Sequence, residues 1–182
     1  LQRQLRGVKI RGLNFWRSLQ KTKVQVQCAA VSHIFYPLSL PTFLKEFFMA
    51  VLVGKPAPDF NVAAVLGNGE IVDSYHFGQA SKGKYAMVFF YPLDFTFVCP
   101  SELIALDRQM SEFTARGVEV VAVSVDSQFT HNAWRNTAIN DGGIGEVQYT
   151  MAADTKRQIQ QAYDVECADG VAFRGAFIID KK

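Results

Sequence analysis

Two continuously apolar stretches with a helical pattern between them constrain this chain more than any other feature. Tyr85-Ala-Met-Val-Phe-Phe-Tyr91 contains no charged or amide side chain, which suits a central strand covered on both faces. Pro92 ends it. Leu103, Leu106, Met110 and Phe113 then recur at helical spacing, Arg116-Gly117 closes that helix, and Val118 to Val125 forms a second buried strand. Strand, helix and strand with short joints predict a right-handed parallel unit. Around it, Val62 to Val65 and Ile71 to Val72 flank the turn Leu66-Gly-Asn-Gly-Glu70 as a hairpin. Asp126-Ser127 can cap a helix from about Phe129 to Ala138, with Asp126 read as a helix cap, and Asp141-Gly-Gly-Ile-Gly145 reads as a flexible loop. Tyr149 to Ala152 is a short strand, Asp154 caps a helix through Gln161, and Arg174 to Asp180 is a last strand. The expected class is α/β.

With 182 residues, 49% of them apolar and 20% charged, the chain lies in the range of one globular domain and outside that of disordered proteins. No apolar run exceeds seven residues, far below what a membrane helix needs, so no transmembrane span is expected. The three cysteines, Cys28, Cys99 and Cys167, are too few and too scattered for a disulfide scaffold, and no C-x-x-C or Cys/His cluster is there to hold zinc.

The formal net charge of +2 conceals a division. Residues 1–48 hold eight Lys/Arg against one acid, whereas residues 49–182 hold eleven against sixteen. Residues 1–48 are therefore read as a basic N-terminal extension and residues 51–182 as the folded domain, with Met49 as the preferred start. Neither aromatic interleaving nor a sustained basic stripe marks the extension as a nucleic-acid arm, and its Arg-rich, acid-poor lead fits an organellar transit peptide better than a secretory signal. A cytoplasmic location is the expectation, an organellar one the alternative if the extension acts as a transit peptide.

The chemistry concentrates where the first apolar strand meets its helix, the end of an α/β sheet at which ligands gather. The joint reads Tyr91-Pro-Leu-Asp-Phe-Thr-Phe-Val-Cys99-Pro-Ser-Glu102. Cys99 falls at the opening turn of the helix, where unpaired N–H groups and the dipole favour an anionic sulfur. Full ionisation of a free thiol increases the nucleophile at neutral pH only about thirtyfold. Enzymes commonly reach 10⁶-fold or more, so polar donors must also act on the transition state. Thr96 can aim a hydroxyl at an incoming oxygen, and Pro92 and Pro100 would stiffen the pocket. Glu102, one turn beyond Cys99, would repel a thiolate unless a cation neutralised it, and Arg174 at the head of a strand is a candidate cation. The bland reading is that Cys99 is a small buried hydrophobe, as most free cysteines are.

Pro92-x-x-x-Thr96-x-x-Cys99, followed by Pro100, Glu102 and Phe173-Arg174-Gly175, resembles the peroxiredoxins, in particular the typical two-cysteine branch that includes the bacterial alkyl hydroperoxide reductases. The resemblance runs from about Val51 to Asp180 and takes in Ala57-Pro-Asp-Phe60, Val125-Asp-Ser127, His131-x-x-Trp134 and Gly142-Gly-Ile-Gly145. It implies a thioredoxin-like fold, with a central mixed sheet flanked by helices, and a peroxidatic cysteine at Cys99 whose thiolate attacks a peroxide to leave a sulfenic acid. Thr96 would bind the peroxide, Arg174 would stabilise developing charge, Glu102 would hold Arg174, and Pro92 would shield the sulfenic acid. No metal or other cofactor is implied. The partners implied are a peroxide substrate, thioredoxin or a flavoprotein disulfide reductase as electron donor, and further copies of the chain in a homodimer or a ring of dimers, with no nucleic acid and no membrane.

Three departures qualify that expectation. The family's resolving cysteine and a second arginine lie in a C-terminal segment beyond Lys182, as do the last strand, helix and arm, so the domain reads as C-terminally incomplete with an unpaired sheet edge. Cys167 stands at a position not usually cysteine in the family and is read as incidental. Cys28 lies outside the resemblance. His131 and Trp134 are expected to serve packing and subunit contact rather than chemistry. The competing class of function is a catalytically idle interaction or chaperone-like module. A thioredoxin-type disulfide isomerase is disfavoured, because Cys99 has no C-x-x-C neighbour.

Overall fold

β-branched and aromatic residues dominate Val118-Glu-Val-Val-Ala-Val-Ser124 and Tyr85-Ala-Met-Val-Phe-Phe90, and these two segments pair in parallel as the spine of the sheet. The computed structural model describes residues 52–181. The basic extension, Cys28 and the proposed start at Met49 lie outside the described residues.

Six strands form one mixed sheet: β1 (Asn61–Val65), β2 (Ile71–His76), β3 (Tyr85–Phe90), β4 (Val118–Ser124), β5 (Thr150–Ala153) and β6 (Gly175–Ile179), in the order β2-β1-β5-β4-β3-β6. β3, β4 and β5 run parallel, whereas β1 joins β5 and β6 joins β3 antiparallel. The connecting helices are α1 (Phe77–Ala80), α2 (Cys99–Asp107), α3 (Met110–Ala115), α4 (Gln128–Asn136) and α5 (Gln158–Ala162).

The two-residue period of a strand sorts side chains to two cores. Val121 and Val123 of β4 join Val88 and Phe90 of β3 with Phe77, Tyr163 and Ala152 on one face. Val120 and Ala122 point the other way, to Tyr91, Cys99, Leu103, Trp134 and Met151. Both faces of the central strands are therefore covered, as an apolar run without alternation requires.

Several sequence-based expectations are revised. The apolar spacing from Leu103 to Phe113 does not belong to one helix: α2 stops at Asp107, and the Gln109 N–H donates to the Leu106 carbonyl one residue short of the α-helical partner. The Asp107 carboxylate is engaged elsewhere, accepting the Gln148 N–H at 2.7 Å. A break this short leaves the apolar stripe in phase, which is why periodicity does not reveal it. Gly117, with φ +64°, then supplies the left-handed residue that closes α3.

The cap of α4 is Ser127, whose Oγ accepts the Thr130 N–H at 3.2 Å. Asp126 is not a cap. Its Oδ2 accepts from the Asp94 N–H at 2.9 Å and from Ser124 Oγ at 2.8 Å, so it ties the end of β4 to the loop after β3. The glycine segment after α4 is pinned rather than loose: Trp134 Nε1 donates to the Gly142 carbonyl at 2.9 Å, and Gly143 is buried against Thr137 so closely that a Cβ would lie 1.9 Å from the Thr137 carbonyl oxygen. At α5 the N-cap position is taken by Arg157 rather than Asp154, whose carboxylate instead accepts the Ile159 and Gln160 N–H groups from across the preceding turn.

Candidate active site

Cys99 is the first residue of α2, separated from the carboxyl end of β3 by the loop that begins at Tyr91. Cys99 and Leu103 are one helical turn apart and both are buried against the core face formed by Val120, Ala122 and Met151. Burial of this pair orients the helix, so that the sulfur sits at the foot of the loop; in the first turn the Ser101 N–H donates to the Val98 carbonyl at 3.1 Å. Pro100 occupies the second helical position, where its missing N–H leaves nothing unpaired.

Arg174 arrives from the residue before β6. Its Nη2 donates to Cys99 Sγ at 3.5 Å, and its Nη1 is hydrogen-bonded to Glu102 Oε2. The antiparallel pairing of Gly175 with Phe90 places the head of β6 beside the end of β3, which is what carries Arg174 to a residue 75 positions earlier. One guanidinium thus spans the sulfur and the carboxylate in the forked geometry that lysine lacks. Cys99 is 1% exposed, while about a third of each side chain of the Arg174–Glu102 pair remains open to solvent.

Thr96 lies in the loop, half-buried, with Oγ1 donating to the Leu93 carbonyl at 3.1 Å. Since a hydroxyl has one hydrogen and two lone pairs, Oγ1 is left as an acceptor. Pro92 is half-buried at the head of the same loop. The structure therefore brings Cys99, Glu102 and Arg174 into direct contact and puts Thr96 and Pro92 on the segment that delivers Cys99. Leu93, Phe97, Val98 and Phe173 are exposed apolar side chains of the two segments that build the site.

Cys167 belongs to the turn closed by the Glu166–Ala172 bridge and is half-buried. His131 and Trp134 are wholly buried within this chain, which accords with packing and not with a place on a subunit surface. Sequence reasoning missed the hydrogen-bonded group that His131 belongs to. Its Nδ1 lies 2.7 Å from Asp94 Oδ2, and Tyr91 OH donates to Asp94 Oδ1 at 2.6 Å. The available signal was Asp94 itself, one acid in an aromatic-rich joint. Burial and the Asp94 charge together raise the Tyr91 phenol well above its usual range, so it remains a donor.

Among the described residues no group of three His, Cys, Asp or Glu side chains is close enough to hold a metal ion. A cavity of about 310 Å³ bordered by Gly67, Lys84, Glu119 and Tyr149 lies at the amino ends of β3 and β4, the opposite end from Cys99. Among the described residues no helix is long and apolar enough to cross a membrane.

Comparison with known proteins adds the following. A family model described as "AhpC/TSA family" matches residues 53–182. Alkyl hydroperoxide reductase C of Buchnera aphidicola subsp. Baizongia pistaciae is 46% identical over 132 residues, which cover 72% of this chain and 66% of that protein. Peroxiredoxin-2 of Pongo abelii is 49% identical over 133 residues, covering 71% of this chain and 72% of its own length. A solved structure of reduced 2-Cys peroxiredoxin from Plasmodium vivax superposes with a TM-score of 0.67 at 43% identity, covering 70% of this chain and 78% of that one. The match spans 66% of the length of the alkyl hydroperoxide reductase C proteins of Buchnera aphidicola subsp. Baizongia pistaciae and Helicobacter pylori.

Proposed function

The chain belongs to the AhpC/TSA family, and from that premise we propose that it is a thiol-dependent peroxidase, an oxidoreductase that reduces hydrogen peroxide and small organic hydroperoxides at Cys99. The observation that carries this reading is the single guanidinium of Arg174 held between the Cys99 sulfur and the Glu102 carboxylate. The names of the similar proteins support it.

In the reaction the Cys99 thiolate attacks the terminal oxygen of the hydroperoxide. An S–O bond forms as the O–O bond breaks, the sulfur is oxidised by two electrons, and the leaving oxygen takes a proton to become water or an alcohol. The product at Cys99 is a sulfenic acid. Arg174 has its charge directed at the oxygens on which negative charge develops, where a preorganised donor is worth most. Glu102 fixes the fork and leaves Nη2 turned to the sulfur. Thr96, its hydrogen committed to the Leu93 carbonyl, accepts the O–H of the peroxide. Pro92 walls the pocket against water. A second thiol then condenses with the sulfenic acid, releasing water and forming a disulfide that thioredoxin or a flavoprotein disulfide reductase reopens.

Residues 51–182 are the peroxidase domain of this reading and residues 1–48 an extension to it. The exposed Leu93, Phe97, Val98 and Phe173 beside the site support association with further copies of the chain, since apolar side chains grouped in this way mark interaction surfaces. A thiol kept ready as a nucleophile suits a reducing compartment, the cytoplasm in the first instance.

Stopped-flow mixing of the reduced protein with hydrogen peroxide, with intact mass before and after, tests the reading. Rapid gain of one oxygen at Cys99, or loss of two hydrogens on disulfide formation, is expected, and Cys99→Ser abolishes it. A folded wild-type protein that leaves peroxide unconsumed would sink the assignment.

A further inference from the structure

Nothing in the proposed chemistry accounts for Asp94, His131 and Tyr91, three polar side chains enclosed behind the site. His131 and Tyr91 are fully buried, and the side chain of Asp94 is 1% exposed. Ionised carboxylate oxygens only accept hydrogen bonds, so the proton between Asp94 and His131 resides on Nδ1, and Asp94 receives two donors, one on each oxygen. The backbone of the same residue is held as well, its N–H donating to Asp126 Oδ2 at 2.9 Å. Burying such a group is costly unless it is hydrogen-bonded, and here each oxygen of Asp94 has its partner.

Its neighbour in sequence shows what is being held. Phe95 has φ +52°, one of three non-glycine residues with positive φ among those described. Such a backbone persists only where its surroundings over-determine it. The ring of Phe95, itself 53% exposed, lies 5.7 Å from Trp134, which is wholly buried. His131 and Trp134 are one turn apart on α4, and Asp94 and Phe95 are consecutive. One face of α4 thus grips two successive loop residues, the first through a charged hydrogen bond and the second through a ring contact. The strained turn so held lies immediately before Thr96, three residues ahead of Cys99.

We propose that His131 and Asp94 are positioning residues of the peroxidase site: through Asp94, helix α4 clamps the strained turn at Phe95 and thereby fixes Thr96 relative to Cys99. The inference rests on the peroxidase reading for its kinetic consequence but not for the clamp itself. Tyr91 is the second arm of the clamp. Asn at position 131 would present an amide N–H where Nδ1–H stands, whereas Leu would present none.

The test uses the full chain with His131→Leu, His131→Asn and Tyr91→Phe, the last removing one hydroxyl and least able to prevent folding. Amide hydrogen exchange is read at residues 95–98, with Val88 and Val121 of the central strands as reference. Exchange in the loop is expected to rise at least tenfold in His131→Leu, several-fold in Tyr91→Phe and little in His131→Asn, with the reference amides unchanged. Thr96→Val, made in the wild type and in His131→Leu, is then read by the rate of Cys99 oxidation. It should cost at least tenfold in the wild type and less than threefold in His131→Leu, because a misplaced Thr96 has little left to lose. Equal cost in both backgrounds would overturn the proposal, as would unchanged loop exchange in both His131→Leu and Tyr91→Phe, or a uniform rise across the reference amides. If the wild type fails to consume peroxide, the peroxidase reading falls while the exchange measurement still decides the clamp.

Discussion

Arg174 reaches Cys99 across 75 positions of sequence, with Nη2 3.5 Å from Sγ, while the other arm of the same guanidinium holds Glu102. A fork that touches nucleophile and carboxylate together does more than supply a local positive charge. Removing one preorganised donor from a site where charge develops costs about 10² to 10³ in rate. Arg174→Ala is expected to lower the second-order rate of Cys99 oxidation by that order, well beyond any change in the ionised fraction of the thiol. Stopped-flow rates set beside a thiolate absorbance titration check it, and a rate that merely tracked the ionised fraction would exclude the transition-state role. Arg174→Lys, which keeps the charge but not the fork, should recover only part of the loss.

Glu102 separates activity from stability. Its ion pair with Arg174 is about a third exposed on both sides, and pairs of that kind contribute on the order of 0–1 kcal/mol to folding. Glu102→Gln should therefore shift the melting temperature by no more than a few degrees while slowing Cys99 oxidation roughly tenfold, because the guanidinium loses its anchor. A large fall in melting temperature with an intact rate would reverse the role assigned to Glu102.

Gly143 tests the pinned segment after α4. A methyl group there would sit 1.9 Å from the Thr137 carbonyl oxygen, a backbone atom that cannot move aside without opening the end of α4. Gly143→Ala should destabilise the fold by about 2 kcal/mol or more, the range of overpacking in a closed space. Urea denaturation of the variant against the wild type reads it. An unchanged midpoint would mean that the segment is free to shift.

Alkaline stability follows from four tyrosines, Tyr75, Tyr91, Tyr149 and Tyr163, all held above the usual phenol range, chiefly by burial. In the unfolded chain each loses its proton near pH 10, whereas in the fold each keeps it, so above pH 10 the folded state binds more protons. Stability is thus intact below pH 10 and falls as pH rises beyond it, by up to about 1.4 kcal/mol per pH unit for each residue. Tyrosinate absorbance near 295 nm from these four should emerge together with loss of near-ultraviolet circular dichroism. A smooth titration of all the tyrosines in a protein that stays folded would contradict the burial argument.

Short-range pattern was enough to read the strands, the order of β3, helix and β4, and the polar residues gathered at the joint. Those features are local: strand and helix periods are read within a dozen residues, and Pro92, Thr96, Cys99 and Glu102 lie within eleven positions of one another. Even the glycine stop at Gly117 and the Ser127 cap are short-range choices of backbone and side chain. What local pattern could not convey was the short break between α2 and α3, because the apolar stripe stays in register across it.

Tertiary structure decided the rest. The antiparallel pairing of β6 with β3 turns Arg174 from a candidate cation into a direct contact of Cys99. Likewise Asp126, well placed in sequence to cap α4, instead accepts the backbone N–H of Asp94, 32 residues earlier. His131 and Asp94 meet for the same reason, since the sheet brings the ends of β3 and β4 side by side and the residues that follow each strand must share one space. A carboxylate takes whichever donors the packed chain offers, and that choice is made by strand order and burial rather than by the residues beside it in sequence.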